Sequence, residues 1–303
     1  VSPHPPLTKY FLRATGLLLG FDHLRVGILL FSILNLWLIY IISLRLTGQK
    51  KAALIAAGLF TINAYSLIAG LQIDIDGAVL PFFILLSYYG YLLIAENRKS
   101  KKGLAIFCLA VVGGFLTKLS FILFLATLIA YFVVINLTWG GKKISWKKFF
   151  YFTVVVAVLA GLFLVLYETS FQIVLKYAAS FNSLNFGSRH YFDFVFKIFK
   201  SFVWLSPLLT LPLIVSSFHK KNYYRYGFWY LFLLTNLIFY GVAFDFTTKT
   251  IERYFMFLIL PAIMIASDIL DGFLTEVKKI KYFTLSWILV LFVVFSFIIL
   301  TVP

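Results

Sequence analysis

The chain is short of charge. Only 13% of its 303 residues are Asp, Glu, Lys or Arg, and only 11 of those are acidic. A soluble domain carries about a quarter charged residues, so a soluble globular fold is excluded at the outset. Cysteine is nearly absent. Cys108 stands alone in an apolar stretch, which excludes an intrachain disulfide. No stretch of low complexity and no internal repeat interrupts the chain. Residues 1–23 lack the basic start, short apolar run and small-residue cleavage site of a secretory signal. The first residue is Val1 rather than Met, and the expectation is a chain that begins partway through a longer protein.

Apolar residues are what the sequence has in excess, at 62% of the chain. A membrane span needs about 20 mostly apolar residues to cross roughly 30 Å of hydrocarbon. Apolar runs between charged punctuation predict ten spans, near 24–44, 52–71, 77–95, 103–117, 119–137, 149–167, 198–217, 226–244, 254–270 and 282–302. The predicted fold is all-α, a polytopic transmembrane helical bundle with amphipathic interface helices on its outer side. Residues 1–23 form part of an outer loop with an amphipathic helix, and 24–303 form the transmembrane domain. The longest outer loop is 168–197, where Phe171, Val174, Tyr177 and Phe181 are spaced for one helix face along the membrane interface.

The net charge of +16 does not point to nucleic acid. Lys and Arg collect in cytoplasmic loops, where they face anionic lipid. With the N-terminus outside, 17 of the 27 basic residues are inner: Arg45, Lys50, Lys51, Arg98, Lys99, Lys101, Lys102, Lys142, Lys143, Lys147, Lys148, Lys220, Lys221, Arg225, Lys278, Lys279 and Lys281. The acids run the other way. Asp22, Asp74, Asp76, Glu168, Asp193, Asp245 and Glu252 are outer. Acids contribute little to orientation, so the outer face has another use for them.

Four places on that face carry candidate chemistry. In Leu71–Pro81, reading LQIDIDGAVLP, Asp74 and Asp76 are either solvated loop acids capping the next helix or a pair that meets a polar substrate or a metal. Lys118, the one base between two apolar runs, either snorkels to the interface or supplies a point charge to a phosphate. Lys249, Glu252 and Arg253 cluster at the outer mouth of a span beside Tyr254, either as an interfacial ion pair or as a phosphate clamp. Arg189 and His190 lie in the outer amphipathic loop. Separated bases and acids at membrane depth suit a substrate with a phosphate headgroup and an apolar tail.

Taken in order, these segments resemble the polyprenyl-phosphate-sugar-dependent glycosyltransferases of the GT-C superfamily. The nearest resemblance is to glycosyltransferase family 39, the dolichyl-phosphate-mannose–protein mannosyltransferase-like and aminoarabinose-transferase-like enzymes. It is carried by His4-Pro5-Pro6-Leu7, by Arg45-Leu46-Thr47-Gly48 and by Asp76-Gly77-Ala78 running to Phe82-Phe83. Further on it is carried by Gly114-Phe115-Leu116-Thr117-Lys118, by Arg189-His190 through Trp204-Leu205-Ser206-Pro207 and by Arg253-Tyr254 through Pro261.

The resemblance implies inverting transfer of a sugar from a polyprenyl-phosphate carrier to a protein, lipid or glycan acceptor. It implies an active face outside a prokaryotic cell membrane and no nucleic-acid partner. Asp76 and Asp74 would orient the acceptor or hold a divalent metal, which is admitted but not required. Lys118, Arg253, Lys249 and Arg189 would bind the donor phosphate. His4, His190, Glu252 and Tyr254 would contact substrate. The family's principal catalytic Asp precedes its HPPL segment, so this chain is expected to lack it. The alternatives are a transporter or flippase of lipid-linked sugars, and a non-catalytic membrane relative.

Overall fold

The computed structural model describes residues 6–73, 75–97, 100–138, 154, 158, 161, 172, 188–200, 202, 206–218, 220–243 and 256–277. Among these every regular element is helical. Helix α1, Leu7–Leu19, ends at Gly20 and a 3-10 turn leads into α2, Leu24–Thr47. Gly20 and Gly48 close these two helices with φ of 92° and 73°, a region that residues with a Cβ rarely enter. Helix α3, Lys50–Ile62, meets α4, Ala64–Leu71, at a bend of 61°. A π turn, Ile75–Val79, opens α5, Leu80–Glu96. Ser100 caps α6, Lys101–Thr117, by accepting from the Gly103 N–H at 3.0 Å. A 3-10 turn at Leu119–Phe121 then starts α7, Ile122–Thr138. The later helices are α8, Ser188–Phe199; α9, Pro207–Ser217; α10, Lys220–Ala243; and α11, Met256–Val277.

Among the described residues three helical stretches are long and apolar enough to cross a membrane: Phe21–Thr47, Ile75–Glu96 and Leu258–Thr275. The α3–α4 pair makes a fourth if the bent helices are taken as one span. The structure modifies two of the expected spans. The one expected at 52–71 is broken at Asn63. The one expected at 198–217 holds two described α-helical pieces, the end of α8 at Phe199 and α9 from Pro207. Proline has no N–H to donate and its φ is preset for a first helical turn, which fixes that start. The spans expected at 149–167 and 282–302 lie outside the described residues, apart from helical positions 154, 158 and 161. So do the aromatic positions singled out between 171 and 181.

Helix α11 is the core. Its residues from Leu258 to Ser267 are buried on every side, as expected of a helix without a polar face. Helices α3, α9 and α10 pack around it. Phe228 of α10 stacks on Tyr88 of α5 at 4.5 Å and meets Phe124 of α7 edge-on at 5.6 Å. Helices α5 and α6 approach closely. A methyl placed on Gly90 would lie 2.7 Å from the backbone nitrogen of Phe107, and one on Gly103 would lie 3.1 Å from that of Ile94. Small residues permit such backbone contact between membrane helices, where packing replaces the hydrophobic drive.

Cross-helix ion pairs sort the described bundle into two ends. Arg45 pairs with Glu96, Lys51 with Asp271 at 2.7 Å and Arg225 with Asp268 at 2.6 Å. All three join the last turns of α2 and α5, the first turn of α3, the second turn of α10 and the second half of α11. This is the end that the basic-residue count assigns to the cytoplasm. Asp76 and Lys118 pair at the opposite end.

These pairs differ in worth. Arg45 and Glu96 are 32% and 48% exposed, so Arg45→Ala is expected to cost less than ~1 kcal/mol. Asp271 is 6% exposed, so Lys51→Ala strands a buried carboxylate and costs more. Thermal unfolding in detergent gives the order, and a larger loss for Arg45→Ala would contradict it.

Candidate functional site

The site grows out of a helix that cannot start regularly. Pro81 lacks an N–H, and its ring collides with the carbonyl four residues back, that of Gly77. The backbone ahead of it widens into the π turn Ile75–Val79, a rare conformation that is frequent at functional sites. Asp76 is carried on that turn and is 3% exposed. Lys118 stands just past α6 in an extended conformation, with φ −160° and ψ 140°. Its ammonium donates to Oδ1 of Asp76, and its side chain is 13% exposed.

Two glycines make the end of α6 fit. A methyl on Gly113 would strike the Phe83 ring at 2.1 Å, and one on Gly114 would strike the Phe121 ring at 2.4 Å. The bare backbone lets both rings close beside Lys118. Thr117, fully buried, donates its hydroxyl to the Gly113 carbonyl at 2.7 Å. Phe11, Phe31 and Phe82 add an edge-to-face aromatic collar, with ring centroids 4.8 and 5.3 Å apart. Apolar walls lower the local dielectric, so a charge held here acts more strongly than in water.

The pair is also recessed. Asn35, fully buried in the middle of α2, donates from Nδ2 to the Ala78 carbonyl at 2.8 Å. Asn35 is 11 residues past Leu24, about 16 Å along the helix at 1.5 Å per residue. The bend at Asn63 accounts for this depth. Tilted 61° from α3, the eight residues of α4 rise about 6 Å instead of about 12 Å. The chain therefore turns back within the bundle. Asp76 is buried rather than a solvated loop acid, and it and Lys118 are packed against each other.

Of the candidate residues, the structure brings Asp76 and Lys118 together. Arg189 and His190 occupy the first turn of α8, and their side chains lie outside the description. His4, Asp74, Lys249, Glu252, Arg253 and Tyr254 fall outside the described residues. Helix α8 has the expected amphipathic form: Tyr191, Phe192, Val195, Phe196 and Phe199 are exposed, while Phe194 and Ile198 pack on the core. Among the described residues no three His, Cys, Asp or Glu gather as metal ligands. At Asp76 the Lys118 ammonium holds an oxygen that a cation would need. The described part of the site does not fit a divalent metal.

Sequence reasoning missed three polar residues. Besides Asn35, they are Asn63 and Ser206. Asn63 is 5% exposed, accepts from the Tyr65 N–H at 3.0 Å and donates to the Ser206 hydroxyl at 2.7 Å. The available signal was a lone amide inside an apolar run, such as LLFSILNLWLIY around Asn35, because a polar group at membrane depth is costly unless it has a role.

The sequence and the fold have counterparts among known proteins. Residues 3–170, more than half of the chain, match the family model described as dolichyl-phosphate-mannose-protein mannosyltransferase. The fold is similar to the crystal structure of ArnT from Cupriavidus metallidurans in the apo state, with a TM-score of 0.59 and 16% identity. It is similar also to that of ArnT from the same organism bound to undecaprenyl phosphate, with a TM-score of 0.61 and 16% identity. The likeness covers 89% of this chain but only 49% and 50% of the ArnT chains, so the chain spans about half the length of these relatives. No protein of curated function matches the chain.

Proposed function

The chain belongs to the dolichyl-phosphate-mannose-protein mannosyltransferase family, and on that premise we propose that it serves the transfer of a sugar from a polyprenyl-phosphate carrier to an acceptor. The working site is the recess at Asp76 and Lys118, on the outer face of the membrane. The observation that carries this reading is the buried ion pair at the end of the bundle opposite the three cytoplasmic-end pairs. That a similar fold binds undecaprenyl phosphate supports a lipid phosphate as the ligand class.

In the reaction, an acceptor nucleophile such as a hydroxyl attacks the anomeric carbon from the face opposite the phosphate. The bond from that carbon to the phosphate oxygen breaks, and the carrier phosphate leaves with the electron pair. A phosphate leaving group is a weak base and needs charge stabilisation rather than a proton. Lys118 supplies it, together with Arg253, Lys249 and Arg189. A lysine ammonium has three donors, so its contact with one carboxylate oxygen is compatible with a phosphate contact. The hydroxyl proton passes to a carboxylate. Asp76, with Asp74 second, serves the acceptor side by orienting groups there. His4, His190, Glu252 and Tyr254 line the substrate path.

The test uses the protein in lipid nanodiscs or membranes. Undecaprenyl phosphate is expected to bind saturably and undecaprenol is not. A radiolabelled undecaprenyl-phosphate sugar should lose its label to an acceptor fraction. Label that crosses the bilayer still attached to its carrier would instead identify a transporter. Sidedness is read in a Cys108→Ser background. Asp22→Cys should react with an impermeant maleimide from outside, and Gln49→Cys only after permeabilisation. The reverse pattern overturns the outer assignment.

A further inference from the structure

Asn35 is a buried amide in the middle of a 24-residue apolar helix. Its Nδ2 reaches across to α5 and donates to the Ala78 carbonyl, two residues from Asp76. Its Oδ1 is buried with no hydrogen-bond partner among the described residues. Leaving that acceptor unmet costs free energy, about 1–3 kcal/mol for such a group. A leucine there would avoid the cost. The amide is therefore retained for its donor.

The position of that donor is telling. The π turn exists because Pro81 disturbs the backbone ahead of α5, and a widened turn has no fixed register of its own. A side-chain donor from a straight neighbouring helix supplies one. Ala78 and Val79 pack with Ile28 and Phe31 of α2, so the amide makes a polar contact among apolar neighbours there.

We propose that Asn35 is the positioning residue of the site, setting the depth and register of the π turn so that Asp76 meets Lys118. Its function in catalysis rests on the reading given above, but its effect on the pair does not. Without that contact, α5 slides or untwists by part of a turn, and the carboxylate leaves the ammonium. Lys118 then reaches water or lipid headgroups.

Two readouts separate these claims. The first is the reactivity of the Lys118 amine toward a membrane-permeant N-hydroxysuccinimide ester, measured by peptide mass spectrometry on the protein in membranes. Reactivity of a buried group follows the population of open states. Asn35→Leu and the isosteric Asn35→Asp are both expected to raise Lys118 labelling about tenfold. Lys51, at the far end, should keep its labelling, and so should Lys118 in Ser32→Ala one turn earlier on α2.

The second readout is sugar transfer, where both Asn35 variants should lose kcat with KM nearly kept. Asn35→Gln, which keeps the amide, should recover part of both signals. If labelling rises while Asp76→Asn and Lys118→Met transfer sugar normally, the positioning stands and the site reading fails. Wild-type labelling in both Asn35 variants overturns the proposal. So does failure of both to accumulate, which would make Asn35 a determinant of folding only.

Discussion

Lys118→Met is expected to be the most damaging single change at the site. The methionine fills a similar volume but leaves the Asp76 carboxylate, 4% exposed, without its ammonium. Removing one partner of a buried pair typically costs about 3–5 kcal/mol, because the remaining charge is stranded in low dielectric. The same change removes the cation assigned to the leaving phosphate, and losing one such electrostatic contact slows a reaction about 10²–10³-fold.

The two losses have different origins, so a second substitution separates them. Asp76→Asn in the Lys118→Met background removes the stranded charge and should return most of the lost thermal stability. It should not return sugar transfer. Recovery of both would mean that the pair is a structural tie and that the phosphate is bound elsewhere. Differential scanning fluorimetry and a single-turnover transfer assay on the same preparations give the two numbers.

The second large effect, on helix packing rather than on charge, is expected from Gly90→Leu. Where a side chain would enter at Gly90 the obstacle is backbone, the Phe107 nitrogen at 2.7 Å and its Cα at 2.9 Å, and neither can rotate aside. Overpacking a well-filled contact costs about 1–3 kcal/mol, and a bulky residue against a backbone belongs at the upper end. The damage should also travel. Helices α5 and α6 carry Asp76 and Lys118 at their far ends, so prising them apart at Gly90 opens the pair as well. Gly58→Leu and Gly272→Leu are the controls, since nothing lies within 4 Å of a side chain there. Equal melting temperatures for Gly90→Leu and the controls would remove the close contact as an organising feature.

The helical bundle was legible in the sequence because hydropathy is a sum over many residues, and local irregularities do not change the sum. The bend at Asn63 was not legible. Residues 52–71 read as one uniform apolar run, and the break depends on an amide held by Ser206, 143 positions away. The same limit hid the burial of Asp76, because its place after an apolar run reads as a loop while its packing depends on helices distant in sequence. The meeting of Asp76 with Lys118, 42 residues apart, follows from the antiparallel α5–α6 hairpin. Both residues were visible as isolated charges among apolar neighbours, but each was assigned to a substrate rather than to the other. Asn35 was passed over because its carbonyl partner leaves no mark in composition.

The uneven distribution of ion pairs has a mechanical consequence. Among the described residues, three ties bind helices at one end and a single tie binds them at the other. Helices separated by thermal motion part first where fewest ties must break. The described helices are therefore expected to part as a lever whose fulcrum is the end with three ties. A small rotation there becomes a larger gap one helix-length away, and the Asp76–Lys118 tie is the latch on that gap. Any bulky tail that slips between helices should do so from the leaflet next to the latch, leaving the fulcrum closed and the membrane sealed beneath it.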